Sequence, residues 1–285
     1  MRFLLLYLFI SECLCADAQD QFRVMTYNIR YENAGDTGEI SWTNRRAMVL
    51  STLNFHEPDI IGMQEVLHSQ LMYFDTALAN YSHVGAGRED GKEKGEYAPI
   101  FYNDKKFEKL DDSLFWLSPT PTIVSKGWDA ELERICTWVK LKDRKNGNIL
   151  FVFNTHFDHR GEQAREESAK LILEEIKRIA GDAPVILTGD FNAPEHSGAI
   201  RTIKGMQDYQ VLVDARDVSR DPPHGSYKTF CGFNVKDGVI GDRIDYIFVS
   251  RHFGILSYAT LTDFYGSHFP SDHFPVISKM ILKKK

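Results

Sequence analysis

The chain has 285 residues, of which 43% are hydrophobic and 26% are charged, and its formal net charge is −6. This composition is that of an ordinary globular protein and excludes a low-complexity or disordered chain. The acidic balance disfavours a protein that tracks long nucleic acid, since such proteins usually carry a basic face.

The N-terminus has the features of a targeting segment. Arg2 precedes an apolar run that is shorter than the ~20 residues needed to cross a bilayer, and small residues surround Ala18. We therefore expect a signal peptide over residues 1–18 and a secreted or periplasmic mature protein. A lipid anchor is the alternative, but the residue before each of the two early cysteines fits a lipoprotein signal poorly. No other run is long enough to span a membrane.

Strand and helix patterns are mixed along the rest of the chain. Period-two alternation and short buried runs predict strands at 22–29, 59–65, 97–103, 136–142, 148–157, 183–190, 243–250, 255–262 and 275–282. Amphipathic patterns predict helices at 44–55, 68–79 and 162–180. Helices separate only some of the strands, so we predict a single α/β domain over 19–285, a sandwich of two sheets with outer helices.

Cleavage of the signal peptide would leave two cysteines, Cys136 and Cys231. In an oxidising compartment they could form a disulfide, although two cysteines so far apart define no disulfide framework. The alternative is that both are small buried hydrophobic residues.

Five apolar runs end in, or next to, an amide or an acid. One such residue would be read as a strand end or a turn. Repetition indicates a shared ligand or network, because polar groups near a core are costly without partners. The residues are Asn28, Gln64, Glu65, Asn154, His156, Asp190, Asn192, Asp245, Asp272 and His273.

The segment NTHFDHR at 154–160 contains two histidines and an aspartate. Alternation along a strand places Asn154, His156 and Asp158 on one face and sends His159 elsewhere. The two histidines therefore do not converge as a zinc site would require. The oxygen ligands elsewhere in the chain suit Mg²⁺, with Mn²⁺ as a substitute.

Seven motifs in this order resemble those of the endonuclease/exonuclease/phosphatase superfamily, namely TYNIR, PDIIGMQE, GEYAPIFY, NTHFDHR, TGDFN, RIDYIF and SDHFPV. The resemblance runs from Phe22 to Ile281. The spacing over 154–169 is similar to that of a secreted bacterial branch, itself close to the deadenylases and to pancreatic-type deoxyribonuclease. The resemblance implies a DNase I-like four-layer α/β/β/α sandwich of two mixed sheets, with ligands gathered at one edge.

The resemblance also implies a metal site and a base. Glu65 matches the main metal-binding glutamate, and Asn28 and Asp272 match residues that complete or support that site. Asp190 matches the aspartate that orients or deprotonates the attacking water. A carboxylate within hydrogen-bond reach of the water can act as a general base.

Further matches contact the scissile phosphate. Asn192 matches the amide that holds the phosphate, and His273 matches a histidine on a phosphate oxygen, with Asp245 as its orienting carboxylate. His156 matches a second phosphate-side histidine, with Glu96 as its partner.

Weaker candidates for substrate contact come from the residues themselves. Asn154 and Asp158 share the inward face with His156, and Arg88 precedes Glu96 in a Gly-rich stretch that could equally be a solvated loop. Phe230 could stack on a base or a sugar, or it could be a buried anchor of its loop. Arg134 faces the site or forms an ion pair with a neighbouring glutamate.

We therefore predict a secreted, Mg²⁺-dependent hydrolase of phosphodiesters, acting as a monomer on nucleic acid or nucleotide-like material. A phospholipid or sugar-phosphate substrate is the alternative. A lipid substrate would call for an exposed apolar hairpin, for which 114–117 is the nearest candidate. A non-catalytic binding module is disfavoured, because Glu65, Asp190 and His273 supply the roles that the reaction requires.

Overall fold

The structure, a computed structural model, describes residues 20–205, 212–233, 242–266 and 268–284. The signal peptide expected at 1–18 lies outside these residues. Within them, no helix is both long enough and apolar enough to cross a bilayer.

Most of the described chain forms strands and helices close to the expected positions. The strands are β1 Gln21–Asn28, β2 Ile60–Gln64, β3 Tyr81–Val84, β4 Ile100–Asn103, β5 Phe107–Trp116, β6 Ile135–Asp143, β7 Ile149–His156, β8 Val185–Asp190, β9 Val213–Asp214, β10 His224–Gly225, β11 Asp245–Val249, β12 Phe253–Thr260 and β13 Val276–Leu282. The helices are α1 Trp42–His56, α2 His68–Ala77, α3 Glu162–Ala180 and α4 Gly198–Gly205, with a 3₁₀ turn at Gly38–Ile40.

The strands form two mixed sheets. The first has the order β10-β12-β13-β1-β2-β4-β3, and the second has the order β5-β6-β7-β8-β11-β9. In the centre of each sheet one pair is parallel, β1 with β2 and β7 with β8. The carboxyl ends of these four strands therefore provide the positions at which a shared site can form.

Alternation along the central strands produces three apolar layers. Val24 and Ile186 point into the core between the two sheets. Tyr27 belongs to the apolar layer that contains residues of α1 and α2, and Leu187 belongs to the one that contains residues of α3 and α4. Both sheets are thus covered on both faces, and the predicted four-layer α/β/β/α sandwich is confirmed.

Several elements were not predicted from the sequence: the short strands β3, β9 and β10, the edge strand β5, the helix α4 and the 3₁₀ turn. β5 is an edge strand whose middle residues, including Lys109 and Asp111, are exposed, and a bulge between these two residues interrupts its alternation. Its end, with Phe115 and Leu117 nearby, is buried. The segment 114–117 is therefore mainly core, and it does not form an exposed hairpin.

Both cysteines of the described chain are free and buried. Cys136 packs in the core beside α3, and Cys231 packs against Phe269 and Phe274. Burial raises the pKa of the Cys231 thiol to about 12. The second of the two readings, small buried hydrophobic residues, is therefore the one that the structure supports.

Arg45 lies on the buried face of α1 with no exposed surface. Its guanidinium donates to the main-chain carbonyls of Ile29, Arg30 and Pro270. These carbonyls belong to two segments that follow β1 and precede β13. A buried cation that satisfies several carbonyls at once fixes the two segments relative to each other.

A fully buried amide joins the two sheets beneath this edge. Asn154 of β7 donates through Nδ2 to the carbonyl oxygens of Met63, at 2.7 Å, and Pro99, at 3.0 Å. Its Oδ1 accepts from Gln64 Nε2 at 2.7 Å and from Thr188 Oγ1 at 3.0 Å. Gly62 makes room for this amide, because a Cβ there would lie 2.5 Å from Asn154 Oδ1. Asn154 is thus a link between the sheets, and the prediction that it contacts substrate is wrong.

We expect Asn154→Ala to lower the free energy of unfolding by about 3 kcal/mol, because it leaves buried donors and carbonyls without partners. Urea unfolding followed by circular dichroism measures this change. Asn80→Ala, at an exposed position, is the control and should leave the midpoint unchanged. Equal midpoints for the two variants would contradict the role given to Asn154.

Candidate active site

Register places three polar side chains side by side at the edge of the second sheet. His156 on β7 pairs with Asp190 on β8, and Asp190 pairs with Asp245 on β11. All three are buried. Strand pairing alone therefore brings together residues that are far apart in the chain.

The first sheet contributes Asn28 and Glu65 to the same place. Asn28 Nδ2 donates to Glu65 Oε1 at 3.1 Å and to Asp190 Oδ2 at 2.9 Å, so one amide connects the two sheets. Glu65 follows the last residue of β2 and has a left-handed backbone, with φ of 60°. Strict alternation would point its side chain outward with Met63. The left-handed conformation, uncommon for glutamate, breaks that alternation at the end of the strand.

These residues surround an open cavity of about 640 Å³. The predicted site residues in its wall are Glu65, Glu96, His156, Asp190, Asn192, Phe230, Asp272 and His273. The other residues in its wall are Arg30, Tyr31, Glu131, Leu132, Arg134, His159, Arg160 and Ile244. Asn28 lies just beneath, bonded to Glu65 and Asp190.

His273 and Asp245 form a buried pair. The imidazole Nδ1 lies 2.9 Å from Asp245 Oδ2, and Nε2 lies 3.8 Å from Asp190 Oδ2. Burial lowers the pKa of His273, but the carboxylates of Asp245 and Asp190 outweigh it and raise the pKa well above its ordinary value. The ring is therefore an imidazolium that faces the cavity beside Asp190. Phe230 packs edge-on against it, with ring centroids 5.1 Å apart.

Asp190 is almost fully buried among these groups. Burial raises the pKa of its carboxyl, and the Asp245 carboxylate raises it further. Its Oδ1 accepts from the main-chain N–H of Asn192 at 2.9 Å. Asn192 itself has a left-handed backbone, with φ of 45°, which asparagine tolerates. The turn after β8 thus holds a carboxylate of raised proton affinity against the cavity.

His156 is neutral in this environment. Burial lowers its pKa to about 3, and the cations of Arg134 and Arg88 add to the effect. Asn192 Nδ2 lies 3.0 Å from Nε2 and donates to it, so the proton belongs on Nδ1. Glu96 Oε2 lies 3.6 Å from Nδ1, which is too long for a hydrogen bond. The predicted His156–Glu96 pair is therefore a contact and not a hydrogen bond.

Arg88 does not contact substrate as predicted. It is buried, and its two terminal nitrogens bind the two oxygens of Glu96 at 3.0 and 2.9 Å. It does not line the main cavity. The alternative of a solvated loop holds for the tip of the Gly-rich stretch, where Lys92 and Lys94 are exposed, but not for Arg88, which holds Glu96 in place.

Asp158 does not line the cavity either. β7 ends at His156, so alternation no longer decides where Asp158 points. Its Oδ1 accepts from the main-chain N–H groups of Arg160 and Gly161 at 2.9 and 2.8 Å, and its Oδ2 lies 3.4 Å from Arg134 Nε. Asp158 therefore organises the turn after β7 and supports an arginine that does line the cavity.

Several cavity residues had only weak sequence signals. Arg30 ends the first motif, where its partners are Asp36 at 2.9 Å and Asp272 at 3.8 Å. Arg134 stands directly before β6, and it pairs with Asp158 and not with a neighbouring glutamate. For Arg134, the sequence signal was a charged residue placed immediately before an apolar strand. Arg160 and Tyr31 had none beyond their adjacency to motifs.

Among the described residues, two groups of side chains could hold a divalent metal. Glu65 and Asp272 supply carboxylate oxygens, which are ligands of Mg²⁺. Asn28 supports them, since its Nδ2 is bonded to Glu65 and its Oδ1 accepts from the main-chain N–H of Arg30. Burial raises the pKa of Asp272, and the Glu65 carboxylate raises it further despite the opposing charge of His273, so a cation there would relieve repulsion. Ligand atoms of Asp190, Asp245 and His273 also lie within 4.8 Å of one another. In that group, however, the imidazole Nδ1 is already bonded to Asp245, so the oxygen group fits Mg²⁺ better.

Comparison with known proteins places these residues in context. A profile described as the Endonuclease/Exonuclease/phosphatase family matches residues 25–273. A protein from Bacteroides vulgatus, named as an endonuclease/exonuclease/phosphatase, has a solved structure with a TM-score of 0.87 and 39% identity. The match covers 93% of this chain and 100% of that one.

Two further relatives are named by activity or by gene product. A mannosyl-6-phosphatase from Bacteroides thetaiotaomicron is 37% identical, with a TM-score of 0.86, over 92% of this chain and all of that one. Nocturnin of Drosophila melanogaster is 22% identical over 90% of this chain and 46% of its own length. The chain spans about half the length of the curated relatives it matches.

We expect Asp245→Asn to lower the pKa of His273. With the carboxylate removed, burial acts against a weaker opposing charge, so the ring loses its proton at a pH lower by about one to three units. An NMR titration of the ring in the metal-free protein measures the shift. Asp242→Asn, exposed and three residues earlier, is the control. An unchanged titration of the ring in Asp245→Asn would refute the pairing.

Proposed function

The chain belongs to the endonuclease/exonuclease/phosphatase family and is a hydrolase of phosphoester bonds, and we propose that it is a divalent-metal-dependent enzyme in which water attacks the phosphorus in line. The convergence of Asp190, His273 and Asn192 in one cavity beside the oxygen ligands of Glu65 and Asp272 carries this proposal. Membership of the family confirms the resemblance that the seven motifs indicated.

The side chains divide the reaction among themselves. Asp190, whose proton affinity is raised, orients the water and accepts its proton. The new bond forms between the water oxygen and phosphorus, and the bond between phosphorus and the ester oxygen breaks. His273, held protonated by Asp245, donates from Nε2 to an oxygen of the phosphate. Asn192 lies in the cavity wall with its side-chain nitrogen bonded to His156 and to the carbonyl oxygen of Phe157, and so orients the neutral histidine beside the phosphate. The proton that the water loses balances the one that the released alcohol gains.

Glu65 and Asp272 would hold Mg²⁺, with Asn28 in support. When bound, the ion supplies positive charge to the phosphate oxygens as a Lewis acid. Asn28 has a second task that needs no metal, because its amide fixes the distance between Glu65 and the base Asp190. Arg30 contributes a neighbouring positive charge, paired with Asp36.

For the substrate we propose a small soluble phosphate ester, with a sugar phosphate as the first class to test. The mannosyl-6-phosphatase relative supports this class. This chain is acidic as a whole but has several arginines in the wall of its cavity, which also supports a small anionic substrate. The sequence alone had favoured phosphodiesters of nucleic acid or nucleotide-like material. That class is the second candidate, supported by the nocturnin match and by Phe230, a ring in the cavity wall suited to stacking.

A panel of esters tests this proposal. We expect Mg²⁺- or Mn²⁺-dependent hydrolysis of mannose 6-phosphate and p-nitrophenyl phosphate, with slower turnover of bis-p-nitrophenyl phosphate and of single-stranded DNA or RNA. EDTA should abolish the activity, and Mg²⁺ should restore it, because the ligands are oxygens. Restoration by Zn²⁺ alone would contradict the assignment of the metal site.

Two aspartates, one at the end of β8 and one in the turn before it, provide a catalytic variant and its control for this panel. Asp190→Asn should lower turnover by about 1,000-fold, the middle of the range for loss of a general base, without loss of folding. Asp182→Asn, exposed and before the start of β8, should retain activity. An Asp190→Asn enzyme with more than about a tenth of the activity would rule out the role given to Asp190.

We also propose that the protein is exported and acts as a monomer. The support for export is the N-terminal sequence, and the support for a monomer is that one chain supplies every residue of the site. The intact mass of the protein recovered from outside the cytoplasm should correspond to a chain that begins near Gln19. Recovery of the uncleaved chain, or of a chain with a lipid at one of the early cysteines, would contradict this.

A further inference from the structure

Two arginines of the cavity wall, Arg134 and Arg160, have no task in this scheme, and of the two Arg134 is the buried one. Arg134 is 4% exposed and lies in the loop immediately before β6. Its Nε lies 3.4 Å from Asp158 Oδ2, and its Nη2 lies 3.0 Å from His159 Nδ1. Two of its three nitrogens are therefore engaged, and these contacts fix the plane of the guanidinium.

The third nitrogen, Nη1, is buried and has no hydrogen-bond partner among the described residues. A buried donor of a charged group without an acceptor is unfavourable, so such a group calls for a ligand or a water. Arg134 also borders a separate enclosed space of about 10 Å³, next to Arg88 and Glu96, which is room for one water at most. Arg134 also lines the main cavity, so its guanidinium is a cation that this part of the wall presents to a substrate.

The surroundings of Arg134 are built for an anion. Asp158 is anchored by two main-chain N–H groups, so the arginine is held on a rigid support. Arg160, exposed on the same turn, also lines the cavity and adds positive charge. Glu131 lies in the wall as well, but it is exposed to solvent, where its charge is screened.

Phosphate monoesters and diesters differ in what they offer to such a group. A monoester carries a charge of about −1.5 to −2 at neutral pH and has three terminal oxygens. A diester carries one negative charge, and an ester substituent replaces one of those oxygens. A rigid guanidinium donates best to an unsubstituted, highly charged phosphate.

We propose that Arg134 is a substrate-binding residue that selects phosphomonoesters over phosphodiesters by presenting its guanidinium, held in the cavity wall, to the terminal oxygens of the reacting phosphate. This inference rests on the proposed function, because it assigns the substrate class of the same cavity. Asp158 and His159 act as positioning residues that hold the guanidinium in this orientation.

The experiment compares Arg134→Met with the unchanged enzyme on p-nitrophenyl phosphate and bis-p-nitrophenyl phosphate. We expect kcat/KM for the monoester to fall by about 30-fold, the loss of a charge-assisted hydrogen bond, and that for the diester to fall by less than about 3-fold. The Kd of inorganic phosphate, measured by calorimetry in the presence of Mg²⁺, should rise by about 10-fold or more. Arg134→Lys keeps the charge but not the forked geometry of the guanidinium, so its values should lie between those of the unchanged enzyme and those of Arg134→Met.

Arg88→Met is the matched control. Arg88 is similarly buried and borders the same small enclosed space, but it does not line the main cavity. Its loss should affect both esters to the same extent and leave the ratio unchanged. If Arg134→Met does not fold, the ratio in Arg134→Lys decides, because a change in the ratio is still expected.

Other outcomes overturn the inference. Equal losses on both esters would show that Arg134 is structural, with Nη1 satisfied by a buried water. An unchanged enzyme that prefers the diester would also overturn it. If no ester is hydrolysed, the proposed function fails separately, and the phosphate Kd of the Arg134 variants still decides whether this residue binds phosphate.

Discussion

The carboxamide of Asn154 is the interaction on which the rest of the site depends. It bonds to main-chain carbonyls of the first sheet while it stands on a central strand of the second, and it also bonds to Gln64 and Thr188. Apolar packing between sheets is non-directional and tolerates sliding, whereas four hydrogen bonds to one amide do not. The ends of the central strands in the two sheets are consequently held next to each other. Nearer to these strand ends than Asn154, the amide of Asn28 can therefore reach both Glu65 and Asp190.

The site built on this frame concentrates negative charge. Asp190, Asp245 and Asp272 are all buried, and burial raises the pKa of Asp190 and Asp272. Such an arrangement is stable only if cations share it. The imidazolium of His273 supplies one, and the oxygen ligands at Glu65 and Asp272 have the character of a Mg²⁺ site. This concentration of buried carboxylates makes the site suited to bind a cation and, through it, a phosphate.

Another part of the cavity wall comes from loops and not from strand ends. Arg134 precedes β6, and His159 and Arg160 follow β7 in a turn that Asp158 organises. Loops can change without disturbing the sheets, so residues placed on them are suited to adjust specificity on a common fold. This division is consistent with relatives as different in name as a mannosyl-6-phosphatase and nocturnin. The residues to which we assign the hydrolysis lie at strand ends of the sheets, and those to which we assign the choice of ester lie on loops.

The sequence by itself determined the layers, most strand positions and the residues at the strand ends, because period-two alternation and apolar runs report directly on burial. It also placed Asp190, His273 and Glu65 in their motifs. Only the tertiary structure decided that Asn154 links the sheets, that Arg88 holds Glu96 and that Arg134 faces the cavity. These outcomes depend on partners far away in the chain and on a left-handed backbone at Glu65, and no local pattern encodes either one.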